Sequence, residues 1–89
     1  MLFLITYNLT PGRDSTTFYN AIQSSGTSWW HYLDSTWIVR SNENANLIYQ
    51  RLSPFVGVAV NYILIIRIEP NDKQGWLPQE AWTWVNNNM

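Results

Sequence analysis

His31 is the only histidine in the chain. Imidazole has the ordinary pKa closest to neutrality, which makes His31 the natural candidate for general acid–base work. Asp34 follows three residues later. In a regular strand the two would point to opposite faces, and only a bulge would bring them together. Tyr7 and Asn8 close an apolar run that starts at Leu2. An asparagine there either reads a purine edge, offering a donor and an acceptor at once, or satisfies the turn that follows. An enzymatic reading would use His31 with Tyr7 or Asp34. The plainer reading of His31 is a half-buried ring with a local hydrogen bond, because no cysteine or second histidine accompanies it.

Arg13 follows Pro11-Gly12 and precedes a helix start. Loop amides, the helix dipole and the guanidinium would make a modest anion site; the alternative is a solvated loop arginine. A single glycine and no Lys-Ser/Thr ending exclude a P-loop. The tryptophans divide into groups. Trp29 and Trp30 are adjacent, so in a strand one of them faces away from the core. Trp37 suits the core or a dimer face. Trp76, Trp82 and Trp84 fall in the tail. Stacking a base on an aromatic ring is worth ~1–3 kcal/mol and needs no sequence readout. The expected ligand-binding set is therefore Tyr7, Asn8, Arg13, Trp30, His31, Trp76 and Trp82. The competing expectation for the tail is that it covers an open sheet or exchanges onto a partner.

These residues need elements to hold them. Leu2 to Leu9 reads as a first, central strand, ended by Thr10-Pro11-Gly12. Asp14 or Ser15 caps a helix with Phe18, Ala21 and Ile22 on its apolar side, stopped by Gly26. Trp29 to Arg40 is rich in aromatic and β-branched residues and predicts strand. Asp34-Ser35 within it reads equally as a bend, a bulge or a hairpin turn. Ser41 or Asn42 caps a second helix, with Ala45, Ile48 and Leu52 on one face and Leu47 at its edge, ending before Pro54. Tyr62 to Ile68 is the last core strand. Gly75 to Val85 reads either as a helix begun at Pro78 or as a strand in which Trp82 and Trp84 alternate, and Asn86 to Asn88 as a frayed end. The order predicts an α+β, ferredoxin-like split βαβ plan, βαββαβ. Its antiparallel sheet would carry two helices on one face and leave the other face open to an aromatic C-terminal tail.

Composition bounds the rest. The 89 residues make one domain, 1–89, with a core over about 2–69 and a tail over 70–89. Charged residues are 12% of the chain, half the usual ~25%, while aromatics reach 16%. So many rings on so little charge point to self-association or a ligand. Five basic residues stand against six acidic ones and no two basic ones are adjacent. The basic stripe of a polynucleotide binder is missing. No run approaches the ~18 apolar residues of a membrane span, so the expectation is a soluble, cytoplasmic protein.

Tyr7-Asn8-Leu9, Pro11-Gly12-Arg13-Asp14 and above all Trp29-Trp30-His31-Tyr32-Leu33-Asp34-Ser35-Thr36-Trp37-Ile38-Val39 resemble the small bacterial proteins of the SinR-like family. That family in turn resembles the small CRISPR adaptation nuclease-like proteins and the VapD toxins. The resemblance implies a ferredoxin-like homodimer. It also marks two departures. Nuclease relatives carry an aspartate where this chain has Asn8, and SinR-like relatives tend to carry one where it has Asn61. An amide is a far weaker Mg²⁺ ligand than a carboxylate. No metal and no cofactor are therefore expected. The leading expectation is a non-enzymatic homo-oligomer that binds a small nucleotide or nucleotide-derived signal, in the manner of a phage sequestering protein. The alternatives are a metal-independent nuclease or phosphodiesterase and a nucleic-acid-binding dimer without catalysis.

Overall fold

The computed structural model describes residues 1–89. In chain order it contains β1 (Leu2–Leu9), α1 (Thr16–Gln23), β2 (Ser28–Leu33), β3 (Thr36–Arg40), α2 (Ala45–Leu52), a 3₁₀ turn (Ser53–Phe55), β4 (Val60–Ile68) and α3 (Gln79–Asn87). The strands form one antiparallel sheet in the order β2-β3-β1-β4. The result is a small α+β protein with a four-stranded sheet and three helices, compatible with a ferredoxin-like fold.

Alternation along each strand divides the apolar residues between two faces. On one face Phe3, Ile5, Tyr7, Trp37 and Val39 meet Phe18 and Ile22 of α1 and Ile48 and Leu52 of α2 in the main core. The spacing of those helical residues puts each pair on one stripe of its helix. On the other face Leu2, Trp30 and Ile38 meet Ala81 and Val85 of α3 in a smaller cluster. α3 covers the β2 side of that face. Tyr62, Leu64 and Ile66 of β4 stay exposed on it.

The local devices differ in places from the sequence expectation. The α1 N-terminus is held by Asp14, whose Oδ1 accepts from the Thr16 backbone N–H (2.9 Å) and hydroxyl (2.8 Å). Those two donors hold its carboxyl below the usual range. The α2 cap is Asn44, not Ser41 or Asn42: Asn44 Oδ1 accepts from Leu47 N–H at 2.9 Å. Three residues separate cap and donor, which is the reach such a cap needs. Ser41 instead accepts from Glu43 N–H one turn earlier. Asp34-Ser35 is a hairpin turn between β2 and β3. The tail is helical from Gln79, and Asn86 and Asn87 belong to it. The expected frayed end is absent because Asn88 Nδ2 donates to the Trp84 carbonyl at 2.8 Å. β4 begins at Val60, two residues before the expected start.

Two polar contacts tie the helices together. Arg51 grips Glu43 with both guanidinium nitrogens at 2.7 Å and donates to Ser25 Oγ at 3.0 Å. The α2 helix is thereby fastened to its own entry loop and to the end of α1. The guanidinium holds the Glu43 carboxyl below its usual range.

Candidate functional site

The segment after β4 leaves the sheet, passes over its second face and returns as α3. Between it and the sheet lies a groove of about 430 Å³, within the lower range of small-molecule sites. Its sheet wall is Leu4, Ile38 and Trp30; its outer wall is Leu77, Trp82 and Val85, with Leu33 at the hairpin end. Glu69, Asp72, Lys73 and Gln74 form the polar rim. Lys73 Nζ donates to the Pro70 carbonyl at 2.8 Å and contacts Met89 Sδ at 3.3 Å. An ammonium has three donors, so one stays free for a ligand.

Two tryptophan hydrogen bonds set the width of this groove. The buried Trp30 indole donates to the Ala81 carbonyl at 3.2 Å. Trp84 donates to Ser28 Oγ at 2.7 Å. Both link β2 to α3 and hold the helix at a fixed height over the sheet. Trp82, one face round the helix, is half-buried and free to line the opening. Gly75 passes beside its ring, where a Cβ would stand 3.8 Å from Trp82 Cζ2.

The expected residues do not converge. Trp30 and Trp82 line the groove together. Tyr7 and His31 lie on the other side of the sheet, in an aromatic cluster with Tyr19, Trp29 and Trp37. The His31 ring is stacked on Trp37 at 3.9 Å and 11°. Its Nε2 lies 3.1 Å from the Asp34 carbonyl oxygen. A carbonyl only accepts, so Nε2 carries the proton and is spent on the hairpin turn. The register shift between Trp30 and Leu33 therefore joins His31 to the backbone of Asp34. Tyr7 is buried; its hydroxyl accepts from Trp37 Nε1 at 2.8 Å and donates to the Asp34 carbonyl at 3.4 Å. Burial, with the neighbouring Tyr19 hydroxyl, pushes the Tyr7 phenol far above its usual pKa. In this arrangement neither Tyr7 O–H nor His31 Nε2 is open to a substrate.

Asn8 is exposed on the second face and lines a shallow depression of about 230 Å³ with Thr6, Tyr62 and Leu64. Asn61 sits in the irregularity of β4 opposite Asn8 and Leu9, and its Oδ1 accepts from the Thr10 hydroxyl at 3.2 Å. Arg13 is exposed in the β1–α1 loop and Trp76 is 99% exposed in the β4–α3 segment. Neither lines the groove. No group of three histidine, cysteine or acidic side chains comes together in the geometry of a metal site. No helix is long and apolar enough to cross a membrane.

Lys73, Leu77, Leu33 and Leu4 belong to the groove and escape a reading by residue type. Leu4 lies inside an apolar strand and Lys73 inside a polar turn, so neither stands out in sequence. Only Leu77-Pro78, apolar and directly before a helix start, carries a usable signal, that of a hydrophobic residue preceding an N-terminus. No family model matches the chain, and no match is found among curated proteins or solved structures.

Proposed function

We propose that this chain is a SinR-like, ferredoxin-like protein with the βαββαβ plan, working as a non-enzymatic homo-oligomer that binds a small nucleotide. The observation that carries the ligand half is the groove under α3. It joins a half-buried tryptophan face to one ammonium with a donor to spare. Apolar walls with few polar groups at the rim are the usual make-up of a small-molecule site. The rim sets the charge of the ligand. Glu69 is paired with Arg67 at 3.3 Å, which leaves Asp72 against Lys73, so a triphosphate finds a single uncommitted cation with a carboxylate beside it. A base carrying a single negative charge, as in a cyclic mononucleotide, fits better. The base would stack on Trp82 and the phosphate would meet Lys73.

Titration calorimetry of the protein with cyclic mononucleotides, nucleoside triphosphates and nucleosides tests this. Binding is expected for the cyclic compounds and weaker or none for triphosphates. Trp82→Ala should reduce affinity by roughly 10-fold or more, the equivalent of one lost stacking contact. Absence of heat with every compound, or full binding by Trp82→Ala, would end the proposal.

A further inference from the structure

β4 is the edge of the sheet that no other element covers. Its Tyr62, Leu64 and Ile66 are 75, 56 and 49% exposed, all on the second face. Beyond Val60, whose carbonyl accepts from Gly57 N–H at 2.8 Å, the backbone edge is unpaired as well. Tyr7 N–H bonds to the Ser35 carbonyl and the Met1 carbonyl accepts from Ser41 N–H, so odd-numbered residues of β1 aim their backbone at β3. The even ones then aim at β4, and their partners Tyr62, Leu64, Ile66 and Ile68 aim back. Ile63, Ile65 and Arg67 are left with N–H and C=O groups pointing outward. Protected edges are short, bulged, or carry charge or proline; β4 has one arginine and a bulge confined to its start at Asn61. β4 has nine residues, with neither lysine nor proline.

We propose that two copies of the chain pair antiparallel through β4 about a two-fold axis at Leu64, fusing both four-stranded sheets into one. This rests on the homo-oligomeric half of the reading above and is independent of the ligand. Leu64 is the midpoint of Val60–Ile68. With the axis there, each outward-facing Ile63 meets the other copy's Ile65, completing narrow hydrogen-bonded pairs. Tyr62 meets Ile66 and Leu64 meets itself, so the exposed apolar side chains cover one another. Arg67 is the only charged residue of the strand. Within its own copy it pairs with Glu69 at 3.3 Å; across the axis it falls opposite Asn61, whose amide oxygen has one acceptor site beyond that used by the Thr10 hydroxyl, and away from the other copy's Arg67, since like charges directly opposite would be destabilising. An axis at Ile65 would instead set Arg67 against Ile63. A β4 that complements itself in pairing, apolar cover and charge fits a second copy of this chain.

The chain has no cysteine, which makes a single-cysteine test clean. Residues facing each other in a non-hydrogen-bonded antiparallel pair have Cα atoms about 4.5 Å apart, within the range a disulfide spans. Leu64→Cys should cross-link to itself under mild oxidation. Tyr62→Cys and Ile66→Cys should each fail alone and cross-link when mixed. The unaltered protein should sediment as a dimer and Leu64→Lys as a folded monomer. Should Leu64→Lys fail to fold, the cross-linking pattern decides. The proposal is overturned if the unaltered protein is monomeric at high micromolar concentration. It is equally overturned by self-cross-linking of Ile65→Cys in place of Leu64→Cys, or by dimerisation that survives Leu64→Lys. Leu64 does not line the groove, so nucleotide calorimetry on the same samples separates the two readings. A dimer without nucleotide heat fails the ligand reading alone; a nucleotide-binding monomer fails this one alone.

Discussion

At the scale of single residues, the Tyr7 hydroxyl proton and the His31 Nε2 proton are both committed to the hairpin turn. Tyr7 is the acceptor for a buried indole N–H, and its own proton goes to the hairpin turn. Removing its oxygen in Tyr7→Phe leaves Trp37 Nε1 without a partner in the core. The expected cost is about 1–3 kcal/mol, read as a lower urea midpoint. The same residue sets an alkaline limit. Its folded pKa lies above the unfolded value of 10.0, so the unfolded chain releases the phenol proton first. The contribution is complete below pH 10 and is lost as pH rises beyond it. Urea midpoints measured across that range should fall in the unaltered protein and fall less steeply in Tyr7→Phe. An equal slope in both would show that Tyr7 is not the group responsible.

Elements raise a different constraint. The α1–β2 connection must return within a few residues and pass the end of β3. Gly26 makes that passage: a Cβ there would collide with the Arg40 carbonyl oxygen, which already accepts from Thr27 N–H at 2.9 Å. Gly26→Ala must push the two segments apart. Overpacking of this kind costs about 1–3 kcal/mol, and equilibrium unfolding should show it; a loss under half a kcal/mol would mean that the connection gives way freely. α3 depends on pairing of another kind. Its N-terminus has no side-chain cap, and a nine-residue helix is marginal in water by itself. It is held by Ala81 and Val85 against the sheet and by the indole donors of Trp30 and Trp84.

The whole molecule is a thin slab, 33 × 26 × 18 Å. Only 18 of 89 residues are buried, so the core of a single copy is small, and in the proposed dimer a second copy would add to it. A protein whose folding is linked to association has a melting temperature that rises with its concentration. That rise should appear in thermal scans of the unaltered protein over a hundredfold dilution series and disappear in Leu64→Lys. A midpoint independent of concentration in both would argue that each copy is self-sufficient. Much of the aromatic surplus has a place at this scale, with Trp76 left fully exposed. Trp37 fills the core, Trp30 and Trp84 fasten α3, Trp82 lines the groove, and Tyr62 joins the exposed strip of β4.

Apolar and β-branched runs carry Leu2–Leu9, Tyr62–Ile68 and the stretch Trp29–Arg40 as strand, and the spacing of Phe18 with Ile22 and of Ile48 with Leu52 carries the first two helices. This local pattern also carries the open second face, since a sheet with helices on one side must leave the other for the tail. What it leaves undecided turns on partners distant in the chain. Asp34-Ser35 becomes a hairpin because β3 is captured by β1, in pairs as distant in the chain as Leu2 with Arg40. The tail becomes helix because Ala81 and Val85 find Trp30 and Ile38, a pairing invisible in local spacing. His31 and Tyr7 keep the same residue types whether they act on a ligand or hold a turn. Only tertiary contact decides, because a hydrogen-bond donor already committed to a carbonyl is no longer available to anything else.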